Sequence, residues 1–393
     1  MILRYRFYRP LEPLFKLFSR LRLVLEKRSW EAATCEVDAT QTVHARNAVT
    51  AGRSFVSHRY NEAVFNAVPS AVFNINRRVR WPSNFVKSDC NYLRLASEFD
   101  GWLLGKKNSG AALTSDAVSN FLREKSTSQS DWPPKHAAKL TVIVPVCNNG
   151  TYLLGKCLPS LQLNDTWNSA IEVLIVDDGS DDEVTLGVLR FLEETDPRIK
   201  VKYLESRSGS ASRPRNIGLE QAETEFVTYL DPDNAISPGG YDKLLKIAMS
   251  DNSVDFVSGY QLKVGRHYGE TARNSYGPFS IKIDNTRGAF FEAGKFPTVS
   301  TQAAVLRRDF LQKYKIRFAD GAIGQDTIFG WEAALRARAM TFTAQAWVLY
   351  FYERRGSITN RPFKENYKKR ALKDLALYGF LTRFGLWEPY TRG

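Results

Sequence analysis

The 393-residue sequence lacks features that mark several whole classes of protein. It contains no run of about 18 apolar residues, so we expect no segment that spans a bilayer. The four cysteines include no C-x-x-C pair, so neither a zinc site nor a disulfide framework is indicated, and we expect a reducing compartment. The four histidines show no metal-ligand spacing. With 43% apolar and 25% charged residues, the composition is that of a globular protein, which argues against overall disorder.

Acidic residues are in deficit, since 42 Asp and Glu stand against 55 Lys and Arg and the net charge is +13. The excess lies at the two ends, with +10 in residues 1–139 and +7 in residues 354–393, whereas residues 140–353 carry −4. A nucleic-acid-binding protein is expected to carry its positive charge on the recognition module. The distribution instead indicates basic ends that attach an acidic middle to an anionic partner such as a membrane surface.

The first 28 residues form a basic amphipathic segment with eight Lys or Arg and two Glu. The apolar residues from Leu11 to Leu25 cover about half of a helical wheel. Two interpretations stay open: this helix lies in the interface of an anionic membrane, or it docks on the protein's own core with its basic face in water. The opening letters, MILRYRFYRP, lack the apolar stretch and the small-residue cleavage site of a signal peptide.

Residues 29–125 show no sustained periodicity, and the sequence assigns them no function. The letters AVFNIN indicate a short strand, and residues 115–125 indicate a helix. The polar stretch at 126–138 contains a Pro-Pro pair, which favours an extended linker over a helix. We therefore expect a domain boundary there.

From residue 140 onward, short apolar strands alternate with longer helical segments. The strands read LTVIVPV, IEVLIVDD, IKVKYLE and EFVTYLD, and connections of about twelve residues or more separate them. This alternation predicts right-handed βαβ units and a mainly parallel sheet. Ligands of such sheets bind at the carboxyl ends of the strands, so functional residues are expected at those ends.

Acidic and polar residues follow three of these strands. The first strand ends in PVCNNG, the second in DDGS and the fourth in DPDN. Asp231 and Asp233 stand one residue apart and offer the hard oxygen ligands that Mg²⁺ and Mn²⁺ prefer. The alternative is a simple turn, because Asp, Pro and Asn are all common in turns.

The order of these motifs over residues 139–360 resembles family-2 glycosyltransferases of the GT-A fold. The resemblance rests on VIVPVCNNGTYLLGKCLPSL, IEVLIVDDGSDD, SASRPRNIGLEQAETEFVTYLDPDN, GQDTIFGWEAALR and YERRGSIT, which occur in that order. It implies an α/β, Rossmann-like sheet that is mainly parallel and flanked by helices, with an N-terminal extension of uncertain fold. The basic residues 361–393 are expected to form a helical tail.

The resemblance also implies a binding site for a nucleoside-diphosphate sugar. Pro145 and Asp178 would border the base of this donor, and Arg215 would approach the nucleotide. Asp231 would face the ribose, and Arg355 with its neighbours would close over the diphosphate.

Asp178, Arg215 and the segment around Arg355 each also have a structural alternative. Asp178 could cap the helix expected from Asp181. Arg215 could form a salt bridge with Glu220 or Asp231. The segment around Arg355 could be a solvated basic loop.

For the reaction itself, the resemblance implies a metal site and a base. Asp233, with Asp231 directly or through a water, would hold Mg²⁺ or Mn²⁺, which stabilises charge on the leaving diphosphate. Asp326, at the start of a helical stretch, would accept the proton of the acceptor hydroxyl. The alternative is that Asp326 caps that helix.

Two residues depart from the pattern common in the family. Gln325 stands before the expected base, where Glu is usual, and Arg207 stands where many relatives carry Asn near the nucleotide. Contacts to the acceptor and the donor are therefore expected to differ. Phe290, Phe291 and Phe296 are candidates for sugar stacking or lipid contact, with core packing as the alternative.

We therefore expect a metal-dependent, inverting glycosyltransferase that moves a sugar from a nucleoside-diphosphate sugar, with UDP as the expected nucleotide, to an acceptor hydroxyl. The acceptor is expected to be a saccharide or a lipid-linked molecule in cell-surface polysaccharide or glycolipid assembly. The enzyme is expected in the cytoplasm, peripheral on the inner face of the membrane, with no nucleic-acid partner. Two alternatives stay open: a non-catalytic membrane-associated partner of another glycosyltransferase, and a protein that binds nucleic acid or another polyanion.

Overall fold

The computed structural model describes residues 72–74, 78–80, 91–126, 138–264, 281–294, 296–297, 299–351 and 363–392. All of them belong to one compact unit that runs from Tyr60 to Gly393. The basic segment 1–28, the residues 127–137 of the expected linker and Arg355 lie outside the described residues. The expectations for these parts of the chain stay predictions.

Strands and helices alternate along most of the described chain. The strands are β1 Val72–Asn74, β2 Arg78–Arg80, β3 Leu140–Val146, β4 Ile171–Asp177, β5 Ile199–Tyr203, β6 Phe226–Tyr229, β7 Ala235–Ile236, β8 Phe256–Val264, β9 Ile281–Ile283, β10 Ala304–Arg307 and β11 Met340–Phe351. The α-helices are α1 Asn91–Ser109, α2 Ser115–Lys125, α3 Gly150–Tyr152, α4 Leu158–Gln162, α5 Glu183–Thr195, α6 Ser212–Gln221, α7 Gly240–Ser250, α8 Arg308–Lys313, α9 Gln325–Arg336, α10 Phe363–Phe384 and α11 Trp387–Arg392. π-helical turns lie at Leu153–Cys157 and Arg287–Glu292, and a 3₁₀ turn lies at Asp165–Asn168.

Nine strands form one mixed sheet in the order β5-β4-β3-β6-β10-β8-β11-β7, with β9 beside β11. The first four strands of this order are parallel to their neighbours. β10 then runs antiparallel to β6 and β8, and β11 runs parallel to β8. The four strands predicted from the sequence are β3 to β6, so the predicted α/β sheet flanked by helices is confirmed, with these four strands as its parallel part.

β3 and β4 are the fully buried strands of the parallel part of the sheet. Every residue of both strands is buried, as expected for apolar strands that helices cover on both faces. α6 packs closely on β3 because Gly218 lies against Ile143, where a Cβ at position 218 would come within 2.4 Å of Cγ2. In a right-handed βαβ unit, this crossover helix begins at the carboxyl end of the strands. α6 therefore begins at the carboxyl ends of the parallel strands, which is the edge where the site was predicted.

α1 and α2 pack on the same apolar core as the sheet. Tyr92 and Leu122 are buried in one cluster with Val142 and Leu189. The Tyr92 hydroxyl also donates to the carboxylate of Asp196, just after α5, at 2.7 Å. The helix predicted at 115–125 is present, yet these helices and the sheet share one core. Most of the expected boundary at 126–138 lies outside the described residues, so it stays a prediction.

The predicted helical C-terminus is present as α10 and α11. Phe380, Leu381 and Leu386 are buried in a second apolar cluster that includes Phe329 of α9. These contacts fix the C-terminal helices beside the helix that begins with Gln325. No helix in the described ranges, α10 included, is both long and apolar enough to cross a membrane.

The three phenylalanines considered for sugar or lipid contact pack into this second cluster. Phe290 and Phe291 are buried, and Phe296 is half-buried. The ring of Phe296 lies against the ring of Trp331, with centroids 4.8 Å apart, and 5.3 Å from that of Phe291. These three phenylalanines therefore pack in the core, which was the alternative to sugar or lipid contact.

Candidate active site

The carboxyl ends of β3, β4 and β6 meet at one edge of the sheet. β3 pairs in parallel with both β4 and β6, so the loops that follow these strands leave the sheet together. Pro145, near the end of β3, is buried and pairs in register with Val176. Asp178 directly follows β4, and Asp231 follows β6 after one residue. The structure thus brings the predicted strand-end residues to one edge.

Asp178 holds the loop at residues 208–209. Its carboxylate accepts hydrogen bonds from the Ser208 amide at 3.0 Å, the Ser208 hydroxyl at 2.9 Å and the Gly209 amide at 3.3 Å. The helix after β4 begins one residue beyond Asp182, whose carboxylate caps it. Helix capping by Asp178 is therefore wrong, and its contact with a donor base stays a prediction.

Arg215 lies at the centre of the site with a side chain that is 2% exposed. Its Nη2 donates to Oδ1 of Asp231 at 2.6 Å, and its Nη1 donates to Oδ1 of Asp326 at 2.7 Å. Of the alternatives that the sequence left open, the salt bridge to Asp231 is present. Glu220 lies instead within 3.7 Å of Arg317. One guanidinium thus joins the carboxylate after β6 to the carboxylate at the start of α9.

Gln302 fixes the turn that carries Asp231 and Asp233. Its Nε2 donates to Oδ2 of Asp231 at 3.0 Å. Its Oε1 accepts from the Asp231 amide at 3.0 Å and from the Asn234 side chain at 2.8 Å. The Asn234 amide donates to the Asp231 carbonyl at 3.0 Å, which closes the turn. Both carboxylate oxygens of Asp231 are therefore held, one by Gln302 and the other by Arg215.

Asp326 is the second residue of α9. The N-cap is Gly324, whose φ of 69° places it in the left-handed region that favours glycine, so capping by Asp326 is wrong. The Asp326 carboxylate accepts from the Thr301 hydroxyl at 3.3 Å as well as from Arg215. It lies in the first turn of the helix, where the helix dipole favours negative charge. Because 39% of its side chain is exposed, a reacting hydroxyl can reach it.

The protonation of these groups is set by burial and by their mutual contacts. Partial burial among the neighbouring side chains raises the pKa of the Asp326 carboxyl above its usual value, and Arg215 only partly opposes this shift. Burial alone would lower the pKa of Arg215, but the carboxylates of Asp231 and Asp326 outweigh it and raise that pKa. The guanidinium therefore stays charged, and Asp326 is a stronger base than an ordinary aspartate.

The residues after β6 fit a divalent cation that is shared with a phosphorylated ligand. Among the described residues, no group of three or more His, Cys, Asp or Glu side chains could hold a metal on its own. Asp233 is half-buried in the turn, and Asp231 is held by Arg215 and Gln302. Mg²⁺ commonly takes one or two carboxylates and completes its shell with water and substrate phosphates. Asp233 is thus suited to direct ligation, and Asp231 to contact through a water.

Arg207 and Gln325, the two residues that depart from the family pattern, both lie close to the proposed site residues. Arg207 forms an ion pair with Asp181, and its Nε donates to the Gly179 carbonyl at 3.0 Å. Arg207 therefore lies over the turn that follows Asp178. Gln325 is buried as the first residue of α9.

Three residues that hold the acidic groups were not predicted from the sequence: Ser208, Thr301 and Gln302. They lie 30, 25 and 71 positions from the aspartates that they contact. Hydroxyl and amide side chains are common, so nothing in the sequence marks those that meet an aspartate after folding. The polar run at 300–302, within a stretch of apolar residues, is the signal that could have indicated two of them.

Comparison with known proteins identifies relatives of this sheet domain. Residues 141–315 match the family described as glycosyl transferase family 2. The uncharacterized glycosyltransferase YibD of Escherichia coli K12 is 28% identical over 260 residues, which are 62% of this chain and 71% of that protein. A GalNAc(5)-diNAcBac-PP-undecaprenol beta-1,3-glucosyltransferase of Campylobacter jejuni is 36% identical over 110 residues, which are 28% of this chain and 34% of that protein.

A solved structure shares the fold. The crystal structure of Staphylococcus aureus TarS 1–349 in complex with UDP-GlcNAc matches with a TM-score of 0.50 and 23% identity, and the match covers 62% of this chain and 66% of that one. At this level of identity the likeness concerns the fold. Residues 141–315 therefore match glycosyl transferase family 2, and the sheet domain that they form has the GT-A fold of a solved glycosyltransferase.

Proposed function

We propose that this glycosyltransferase moves a sugar from a UDP-sugar to an acceptor hydroxyl in a metal-dependent, inverting reaction. The double ion pair of Arg215 supports this proposal most directly. It links Asp231, at the expected donor site, to Asp326, the expected base. Donor and acceptor must meet for transfer to occur, and an ion-pair network that joins the proposed donor group to the proposed base supports such a meeting.

The donor is proposed to lie across the carboxyl ends of β3, β4 and β6. There Pro145 and Asp178 would border the base, and Asp231 would face the ribose. Arg215 would act on the nucleotide mainly through Asp231, because both of its terminal nitrogens already donate to carboxylates. Arg355 is proposed to close over the diphosphate. UDP is the proposed nucleotide since the TarS structure of the same fold holds UDP-GlcNAc.

Asp233, with Asp231 acting through a water, would hold Mg²⁺ or Mn²⁺ beside the donor's diphosphate. A divalent cation in this place supplies positive charge that stabilises the leaving diphosphate. The turn that presents Asp233 is fixed by the bonds that Gln302 makes to Asp231 and Asn234. A carboxylate held in this way needs little rearrangement to meet a cation.

Asp326 is proposed to act as the general base. The acceptor oxygen attacks the anomeric carbon as its proton passes to the Asp326 carboxylate. The bond from that carbon to the diphosphate oxygen breaks, and its electron pair leaves with UDP. A single displacement enters from the face opposite the leaving group, so the configuration at the anomeric carbon inverts. The bonds from Arg215 and Thr301 keep the carboxylate in place for this step.

The acceptor is proposed to be a saccharide or a lipid-linked molecule at the cytoplasmic face of a membrane, within cell-surface polysaccharide or glycolipid assembly. The relative from Campylobacter jejuni carries PP-undecaprenol in its name, which supports a lipid-linked acceptor. The basic ends of this chain, at +10 and +7, favour an anionic membrane surface as a partner. No nucleic-acid partner is proposed.

Replacement of the base tests this proposal. Asp326→Asn is expected to lower the rate of UDP release, with a membrane lipid extract as the source of acceptor, by about 10³-fold. Binding of the UDP-sugar, measured by calorimetry, is expected to change by less than about twofold, since the donor contacts stay in place.

Asp309→Asn is the matched control, because that carboxylate is 85% exposed at the start of another helix. It is expected to leave both release and binding unchanged. An Asp326→Asn enzyme that releases UDP at the rate of the parent would overturn the role of Asp326 as base.

A further inference from the structure

Large apolar side chains that are exposed to water gather on the C-terminal helices. Of the ten such residues in the described chain, six lie between positions 367 and 390: Tyr367, Leu372, Leu375, Tyr378, Trp387 and Tyr390. Single exposed apolar residues are ordinary on protein surfaces. A contiguous group of them marks a surface that contacts a partner.

The group forms one continuous face of α10. Tyr367, Leu375 and Tyr378 lie on one side of the helix, since at about 100° per residue Tyr367 and Tyr378 are about 20° apart and Leu375 is within about 80° of both. Their exposed fractions are 59%, 66% and 54%, whereas Phe380 on the opposite side is buried. The Tyr378 ring contacts that of Trp387 in α11, with centroids 5.8 Å apart. We call Tyr367, Leu372, Leu375, Tyr378 and Trp387 the aromatic face.

Positive charge surrounds the aromatic face. Residues 367–391 hold five Lys or Arg and two acidic residues. Lys368 follows Tyr367 directly and is exposed, whereas Arg383 is exposed but pairs with Glu332 at 2.7 Å. Tyr, Trp and Leu flanked by cations are typical of helices that lie in the interface of an anionic membrane. A second copy of the chain would bring two positively charged faces together, which opposes self-association through this surface.

The aromatic face adjoins the loop that precedes the proposed base. The Lys369 carbonyl accepts from the Ile323 amide at 3.3 Å. Leu372 lies beside Gly321, where a Cβ would be 3.2 Å from Cδ1 of Leu372. This loop ends at Gly324, the N-cap of the helix that carries Asp326. A surface that contacts α10 is therefore close to the loop that leads into Asp326.

We propose that the aromatic face docks on an anionic lipid surface, and that the acceptor reaches Asp326 from that surface. The route of the acceptor rests on the proposed transfer to a membrane-borne hydroxyl. Contact with lipid, however, is a property of the surface alone and is measured without any transfer. A failed transfer assay and a failed lipid-contact assay therefore point to different errors.

Photo-cross-linking of the full chain tests this contact. Leu375→p-benzoylphenylalanine is irradiated with vesicles of phosphatidylglycerol and phosphatidylcholine in equal parts. The matched control is Leu104→p-benzoylphenylalanine on α1, where the parent side chain is 60% exposed. Position 375 is expected to give at least about ten times more lipid adduct than position 104, because only a side chain within the lipid interface reacts. Cross-linked dimers of the protein at position 375, or equal lipid adducts at both positions, would overturn the proposal.

A binding measurement checks the same surface without a probe. The double variant Leu375→Ser with Tyr378→Ser is expected to bind these vesicles at least about tenfold more weakly in co-sedimentation, since two apolar side chains lose their lipid contact. Leu104→Ser is expected to bind as the parent does. Lys368→Glu is expected to weaken binding to the anionic vesicles and to leave binding to pure phosphatidylcholine unchanged. Equal binding by the parent and the double variant would refute docking through this face.

Discussion

The buried guanidinium of Arg215 balances the charge of the site. Its side chain is 2% exposed, whereas those of Asp231 and Asp326 are 24% and 39% exposed. A buried charge that loses its partners is strongly destabilising, and two carboxylates without the cation between them repel each other. Arg215 is therefore expected to contribute to folding as well as to the arrangement of the site.

Arg215→Met is expected to lower the free energy of unfolding by about 3 kcal/mol, because it leaves two neighbouring carboxylates without their shared cation. Urea unfolding followed by circular dichroism measures this change. Arg213→Met is the matched control, since Arg213 lies on the same helix and is exposed. A loss of stability as large for Arg213→Met as for Arg215→Met would contradict the buried ion-pair network.

The acid limb of catalysis reports the protonation of Asp326. Burial and the nearby Asp231 raise its pKa, whereas Arg215 and the Thr301 hydroxyl lower it. Activity needs the deprotonated carboxylate and is lost as pH falls through that pKa, so the limb is expected above the ordinary aspartate value of about 3.9.

Thr301→Val removes a hydrogen bond that favours the charged form of Asp326. The pKa of Asp326 should then rise further, and the acid limb of kcat/KM should move to higher pH than in the parent. The measurement is the pH profile of kcat/KM for both enzymes. A limb that stays in place or moves to lower pH would show that Asp326 is not the group that titrates.

The residues of the site were predicted unevenly, because sequence reveals local motifs better than long-range partners. Pro145, Asp178 and Asp231 stand at strand ends that are visible in the sequence. The bond from Arg215 to Asp326 joins residues 111 positions apart, and no local pattern indicates it. Gln302 was missed for the same reason.

At the scale of elements, the buried parallel strands were the most predictable part of the fold. The predicted strand LTVIVPV coincides with β3, since every residue is buried and apolar or nearly so. The predicted strand IKVKYLE ends earlier, at Tyr203, because β5 is the edge strand and its last two residues are exposed. The antiparallel strands β8 and β10 were not predicted, since they lie among segments without a regular period.

The helix α2 shows what sequence patterns do not reveal at this scale. α2 was predicted, but its attachment to the sheet was not. Val118 of α2 lies against Gly187 of α5, where a Cβ would come within 2.5 Å of the valine. This close contact depends on the absence of a side chain at position 187, which the sequence shows only as one glycine among 25.

For the whole molecule, the net charge of +13 describes the ends of the chain and not its site. The described site contains Asp231 and Asp326 on either side of one buried arginine, with Asp178 and Asp233 at the same edge of the sheet. The positive charge of the C-terminal helices instead surrounds an exposed apolar surface. The charge distribution along the sequence predicted that the positive charge lies away from the site. Only the structure shows that the aromatic face lies next to the loop before Asp326.

The central claim is that the carboxyl ends of β3, β4 and β6 bind a nucleoside-diphosphate sugar together with a divalent cation. Thermal unfolding of the parent and of Asp233→Asn with a panel of nucleotide sugars, each with and without Mn²⁺, tests it most directly. A ligand at a hundredfold excess over its Kd stabilises the folded state by about 2.7 kcal/mol, which raises Tm. We expect a UDP-sugar to raise the Tm of the parent, more with Mn²⁺ than without it, and the Mn²⁺-dependent part to vanish in Asp233→Asn. A parent Tm that no nucleotide sugar raises, or a Mn²⁺ effect that is equal in both proteins, would contradict the account.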